Sequence, residues 1–140
     1  MRNINLFLFL LVFSFTSTAI IAQEETDYDP DDIEIEISTP TSEIEYRSAD
    51  LISVELTIQG DRPMPEKICV RLTNMDDVKD KITFYELPKG QSLPYTFKAT
   101  VQCPANNEDE PKDIELVFSL FDGETELTSS DVDITIMNEN

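Results

Sequence analysis

Carboxylates are the reactive groups this chain has in abundance: 29 Asp and Glu stand against 10 Lys and Arg, and there is no His. Asp27, Asp29 and Asp31 recur at every second residue, as at the opening of a helix-loop-helix calcium site. That motif then needs Gly at its sixth position and Glu at its twelfth, where this chain has Asp32 and Ser38, and Pro30 interrupts the run. The calcium-loop reading fails. A looser site borrowing Asp131 and Asp133 needs converging oxygens that spacing does not supply, so no metal is expected. Without His there is no His-based triad, no imidazole ligand and no ordinary pH switch. Acids are so frequent that some pair of carboxylates is always at hand, which makes any one pair uninformative as an acid–base couple. No Gly-rich phosphate loop or nucleophile elbow is present. The chain is therefore expected to be no enzyme and to carry no cofactor.

Three other features could do chemistry. Tyr28 lies between acids on both sides, the setting of a tyrosine-sulfation acceptor, and sulfation would add fixed negative charge and acceptor oxygens. Cys69 and Cys103 are the only cysteines. An even count in a chain entering an oxidising route predicts one disulfide, worth roughly 4 kcal/mol in the chain-entropy model. Cys69 has the opposite strand parity to its inward neighbours Ile68 and Val70, so such a bridge requires a bulge or a place at the rim of the fold. Arg62-Pro63-Met64-Pro65 holds Met64 between two prolines, which reads as a stiff contact loop or as a rigid inter-strand turn. Asn106-Asn107-Glu108-Asp109-Glu110 reads as a solvated acidic loop.

The elements that must position these residues divide the chain into four. Arg2, the apolar run Leu6 to Phe13 and the small residue Ala22 before Gln23 read as a secretory signal peptide over 1–22, cleaved in the mature protein. Residues 23–32 form an acidic, flexible arm with too little apolar surface to bury. Residues 33–137 form one domain, and 138–140 a short tail. Within the domain, Pro and Gly fall between apolar runs that alternate with period two. Ile33-Glu34-Ile35-Glu36-Ile37 is the cleanest, with every Ile on one face. The others centre on Ile52 to Ile58, Ile68 to Leu72, Ile82 to Tyr85, Tyr95 to Val101, Ile114 to Leu120 and Val132 to Ile136. No helical period is sustained. The expected fold is all-β, a single antiparallel immunoglobulin-like sandwich of about seven strands.

The stretch Ile114 to Ile136, with Leu116, Phe118, Asp122-Gly123 and Leu127, resembles the closing hairpin of the secreted lipid-recognition (ML) family, and Gly90, Tyr95 and Phe97 precede it much as a Gly and aromatics do there. The resemblance implies a sandwich with a lipid pocket between its sheets, lined here by Val54, Leu56, Phe84, Phe97, Phe118 and Leu120. Read from periodicity alone, the same side chains interdigitate as an ordinary core.

A net charge of −19 argues against nucleic acid, whose phosphates need clustered cations, and against charge-driven docking on anionic lipid. No apolar C-terminal tail suggests a stable membrane anchor. The expectation is a secreted, extracellular, non-catalytic binding module that engages a basic protein surface through its acidic arm and the acidic outer face of its strands, which carries Glu34, Glu36, Glu55 and Glu115. Asp27, Tyr28, Asp29, Asp31 and Asp32 of the arm, with Arg62 and Met64, are its candidate contacts. The alternative expectation is an extracellular lipid-binding or transfer protein.

Overall fold

The computed structural model describes residues 29, 32–73 and 81–138. Eight strands run through them: β1 (Ile33–Thr39), β2 (Glu45–Arg47), β3 (Leu51–Gly60), β4 (Lys67–Thr73), β5 (Lys81–Glu86), β6 (Tyr95–Gln102), β7 (Lys112–Asp122) and β8 (Thr125–Met137), with no α-helix among the described residues. They form a three-stranded sheet in the order β1-β3-β6 and a five-stranded sheet in the order β2-β8-β7-β4-β5. The expected signal peptide and most of the acidic arm lie outside the described residues.

Each of the seven alternating runs lies in a strand, and the described residues are all-β. Two parts of the expectation need correction. There are eight strands rather than about seven, and the larger sheet is mixed, because β2 runs parallel to β8 while every other pair is antiparallel. The added strand is only three residues long, with Tyr46 as its one buried side chain, so it has no alternation to detect. Pro40 follows β1 directly and has no N–H with which to extend a ladder. The chain thus leaves the smaller sheet there and joins the edge of the larger one.

The core lies between the sheets. Ile52, Val54, Leu56 and Ile58 of β3 face Ile68, Val70, Leu72, Ile114, Leu116, Phe118, Leu120, Ile134 and Ile136 of the larger sheet, all in one buried cluster. Tyr85 of β5 meets Phe97 of β6 edge to face at 5.3 Å, which joins the sheets on that side. Burial of each such aliphatic side chain contributes about 1.5–3 kcal/mol, which is why strict alternation sets the register.

The outward face of the larger sheet carries a second, thinner apolar layer. Cys69, Val117 and Ser119 point away from the core yet are buried. Phe84 and Phe121 stand beside them, ring to ring at 6.0 Å, with the Lys67 ammonium 5.2 Å from the Phe84 centroid.

This layer explains two further corrections. Cys69 and Cys103 are both free, so the expected disulfide is not formed. Cys69 pairs across with Ser119 and Phe84 on the outward face of one sheet, while Cys103 follows β6 of the other sheet and belongs to the core. A sheet therefore separates the two thiols. Phe84 was expected among inward-facing pocket residues, but it is 55% exposed on the outward face. The segment Ile82-Thr83-Phe84-Tyr85 is apolar at both parities, and only its pairing with β4 decides which side turns in.

Candidate functional site

The root of the acidic arm is the part of the fold where candidate contacts come together. Ile33 opens β1 opposite Gly60, the last residue of β3. The Asp32 carbonyl accepts from the Asp61 N–H at 3.1 Å, and the Asp32 N–H donates to the Asp29 carbonyl at 2.9 Å. The Asp29 N–H in turn donates to Asp32 Oδ2 at 3.1 Å. The chain passes so close to Gly60 that a Cβ there would sit 2.0 Å from the Asp32 carbonyl oxygen. This approach leaves an open depression of about 390 Å³ lined by Asp32, Ile33, Glu34, Gln59, Gly60 and Asp61. Three carboxylates and no cation line it, so its field attracts Lys or Arg side chains.

Gly60 also borders a second, larger cleft of about 550 Å³, formed where three inter-strand connections meet. Arg62, Pro63, Met64, Pro65 and Glu66 come from the β3–β4 loop, Lys89 to Leu93 from the β5–β6 loop, and Asp122 from the β7–β8 hairpin. Glu66 ties these loops together. Its N–H donates to the Phe121 carbonyl at 3.0 Å, its carbonyl accepts from the Leu87 N–H at 2.9 Å, and its Oε2 accepts from the Gly123 N–H at 2.7 Å. Arg62 forms an ion pair with Asp122, and its side chain is only 7% exposed. Met64 is half-buried and packed against the core. The Arg62–Met64 loop thus takes the rigid-turn form: Arg62 braces the cleft from beneath and Met64 anchors it. Lys89, exposed on the opposite loop, is the cation this cleft presents.

The expected contacts therefore separate into three groups. Asp29 and Asp32 stand at the arm root, Arg62 and Met64 lie one loop away behind the same Gly60, and Asp27, Tyr28 and Asp31 fall outside the described residues. Glu34 of the acidic face completes the depression together with Gln59 and Asp61, neither of which stands out in the sequence. Only the antiparallel register of β1 on β3 brings Asp61 beside Asp32. The smaller sheet extends the acidic surface outward through Glu34, Glu36 and Glu55, with Lys98 held 2.9 Å from Glu55.

Of the side chains expected to line a lipid pocket, Val54, Leu56, Phe97, Phe118 and Leu120 belong to a single buried cluster. Leu56, Phe118 and Leu120 have no exposed surface, so these groups fill the inter-sheet space with one another. Among the described residues, no three Cys, Asp or Glu side chains converge as a metal site would require. Against protein-family models and against curated proteins, the chain matches none.

Proposed function

We propose that this chain is an exported, non-catalytic binding module of immunoglobulin-like topology that engages a basic protein surface through the root of its acidic arm. The topology supports the first part. With β1, β3, β4, β6, β7 and β8 taken as strands A, B, C, E, F and G, the sheets read A-B-E and G-F-C, an order that favours the immunoglobulin-like reading, with β2 and β5 added at the edges of the larger sheet. The cysteines depart from the antibody pattern, since Cys69 is on the C strand and Cys103 follows E.

The observation that carries the binding proposal is the acidic depression itself. Asp32, Glu34 and Asp61 line one concavity, and in sequence Asp32 directly follows the acidic run that begins at Glu24. A Lys- or Arg-rich segment laid along it gains from charge-assisted hydrogen bonds and from electrostatic steering.

The test is fluorescence anisotropy with a labelled Lys/Arg-rich peptide as probe, at several salt concentrations. Replacement of Asp32, Glu34 and Asp61 by Asn, Gln and Asn is expected to weaken binding roughly tenfold or more, while Asp131→Asn with Asp133→Asn leaves it nearly unchanged. Equal losses from both sets would reduce the effect to net charge. Binding indifferent to salt would remove the proposal altogether.

A further inference from the structure

The outward face of the five-stranded sheet has a charge order that repeats. Across strands β4, β7 and β8, one row reads Arg71, Val117, Asp131. Two rows along, it reads Lys67, Phe121, Glu126. Each row places a cation on β4, an apolar side chain on β7 and an acid on β8. The row between them, Cys69, Ser119, Ser129, is uncharged.

The chain carries −19 overall, and Lys67 has the acid Glu86 as its cross-strand neighbour on β5 while Arg71 has Ile82. Arg71 is exposed and Lys67 rests over the Phe84 ring, and neither makes an ion pair among the described residues. Beside them β5 exposes 52% of Ile82 and 55% of Phe84, two of the four large exposed hydrophobics among the described residues.

We infer that this face docks on a second copy of itself, with a two-fold axis lying along β7. Rotation about an axis parallel to the strands exchanges the β4 side with the β8 side and keeps each row at its own level. Arg71 of one copy then meets Asp131 of the other, and Lys67 meets Glu126. Val117 and Phe121 each face their own counterpart along the axis. Both halves of the complementarity thus lie on one patch, as an isologous interface requires. An axis running across the strands would instead set cation on cation.

Two further charged residues of β7 share this face: Asp113 accepts from the Thr135 hydroxyl of β8 at 2.8 Å, and Glu115 is drawn aside toward the other neighbour. The Glu115 carboxylate accepts from the Thr73 hydroxyl at 2.9 Å, toward β4 and away from the axis. At the rim, Ile82 and Phe84 close over the partner's β8 edge, which is uncovered there because β2 reaches only the level of Thr135 to Met137. Four strands at about 4.8 Å spacing over four rows give roughly 1,000 Å² buried in total, near the lower limit for a specific pair. The dimer is therefore weak and is expected to populate only at high protein concentration. This inference stands apart from the arm-root proposal and uses none of the residues that line the acidic depression.

Charge reversal tests it on protein expressed from the whole 140-residue sequence. Sedimentation equilibrium up to about 1 mM protein, in roughly 0.15 M salt, is expected to show dimers of the wild type. Arg71→Asp alone makes the face acidic on both sides, and Asp131→Arg alone makes it cationic on both sides. Each is expected to lose self-association about tenfold or more, while an equimolar mixture of the two associates at least as tightly as the wild type. The same scheme with Lys67→Glu and Glu126→Lys serves if either first variant misfolds by circular dichroism. A wild type that stays monomeric at about 1 mM overturns the inference. So do single variants that associate like the wild type, and so does a mixture no tighter than its components.

Discussion

Asn106 and Ser119 are the two buried polar residues among the described residues, and Asn106 is fully engaged. Its Nδ2 donates to the Glu110 and Ile136 carbonyls at 2.9 and 3.0 Å, and its Oδ1 accepts from the Glu108 N–H at 3.1 Å. Its own N–H donates to Ser48 Oγ at 2.9 Å. One side chain thus pins the acidic loop to the end of β8, although in sequence it is simply the first member of that loop. Nothing local distinguishes it, because its partners arrive from Ser48 and Ile136. The thiols are a second case in which surroundings decide chemistry. Burial raises Cys103 from its ordinary 9.0 to about 11, and the nearby Asp50 carboxylate pushes the same way. Burial likewise raises Cys69. The folded state therefore favours the neutral thiol of Cys103. Its contribution to stability is complete below pH 9 and is lost as pH rises from there through about 11. Urea titrations across that interval should show stability falling more steeply in the wild type than in Cys103→Ala. Parallel slopes would mean that the Cys103 thiol does not take part.

At the scale of elements, the hydrophobic period located strands well and faces unevenly. Ile33 to Ile37 and Ile52 to Ile58 alternate so strictly that their inward sets are fixed by the pattern alone, whereas in Ile114 to Leu120 the outward Val117 is buried as well. The piece around Phe84 is ambiguous because both of its faces are apolar, and it is an edge strand whose outward side is only partly covered. Register is the information the period does not contain, and register is what assembles both the acidic depression and the repeated charge rows. Gly60 shows how tightly register can bind a single position. It has φ +151° and lies against the Asp32 backbone, so Ala there forces β1 away from β3 at the arm root. Gly60→Ala is expected to cost about 2–3 kcal/mol in denaturant unfolding. Gly123→Ala meets no atom within 4 Å and bears only its own backbone strain at φ +59°, so it should cost about 1–2 kcal/mol. Equal losses at the two sites would show that the close approach to Asp32 adds nothing.

For the whole molecule, charge and topology pull in different directions. A formal −19 on 140 residues makes the compact state repel itself, and the described ion pairs Arg62–Asp122, Lys98–Glu55 and Lys112–Glu108 offset only part of it. Sodium chloride up to about 1 M shortens the screening distance to roughly 3 Å, so the melting temperature should rise by several degrees. A melting temperature that falls with salt would mean that specific ion pairs outweigh the general repulsion. Composition alone made this property legible, whereas the mixed sheet was not, because nothing in Glu45-Tyr46-Arg47 announces a partner at Thr135 to Met137. That parallel pair also orders events in time. During synthesis β1 can pair with β3 once Gly60 has emerged, but β2 has no partner until Thr135 to Met137 have been made. The larger sheet therefore closes only after β8 has been made. Such distant pairings place folding in the millisecond-to-second range typical of β-sandwiches, and they leave the newborn chain open to threading or capture until its C-terminal strand arrives.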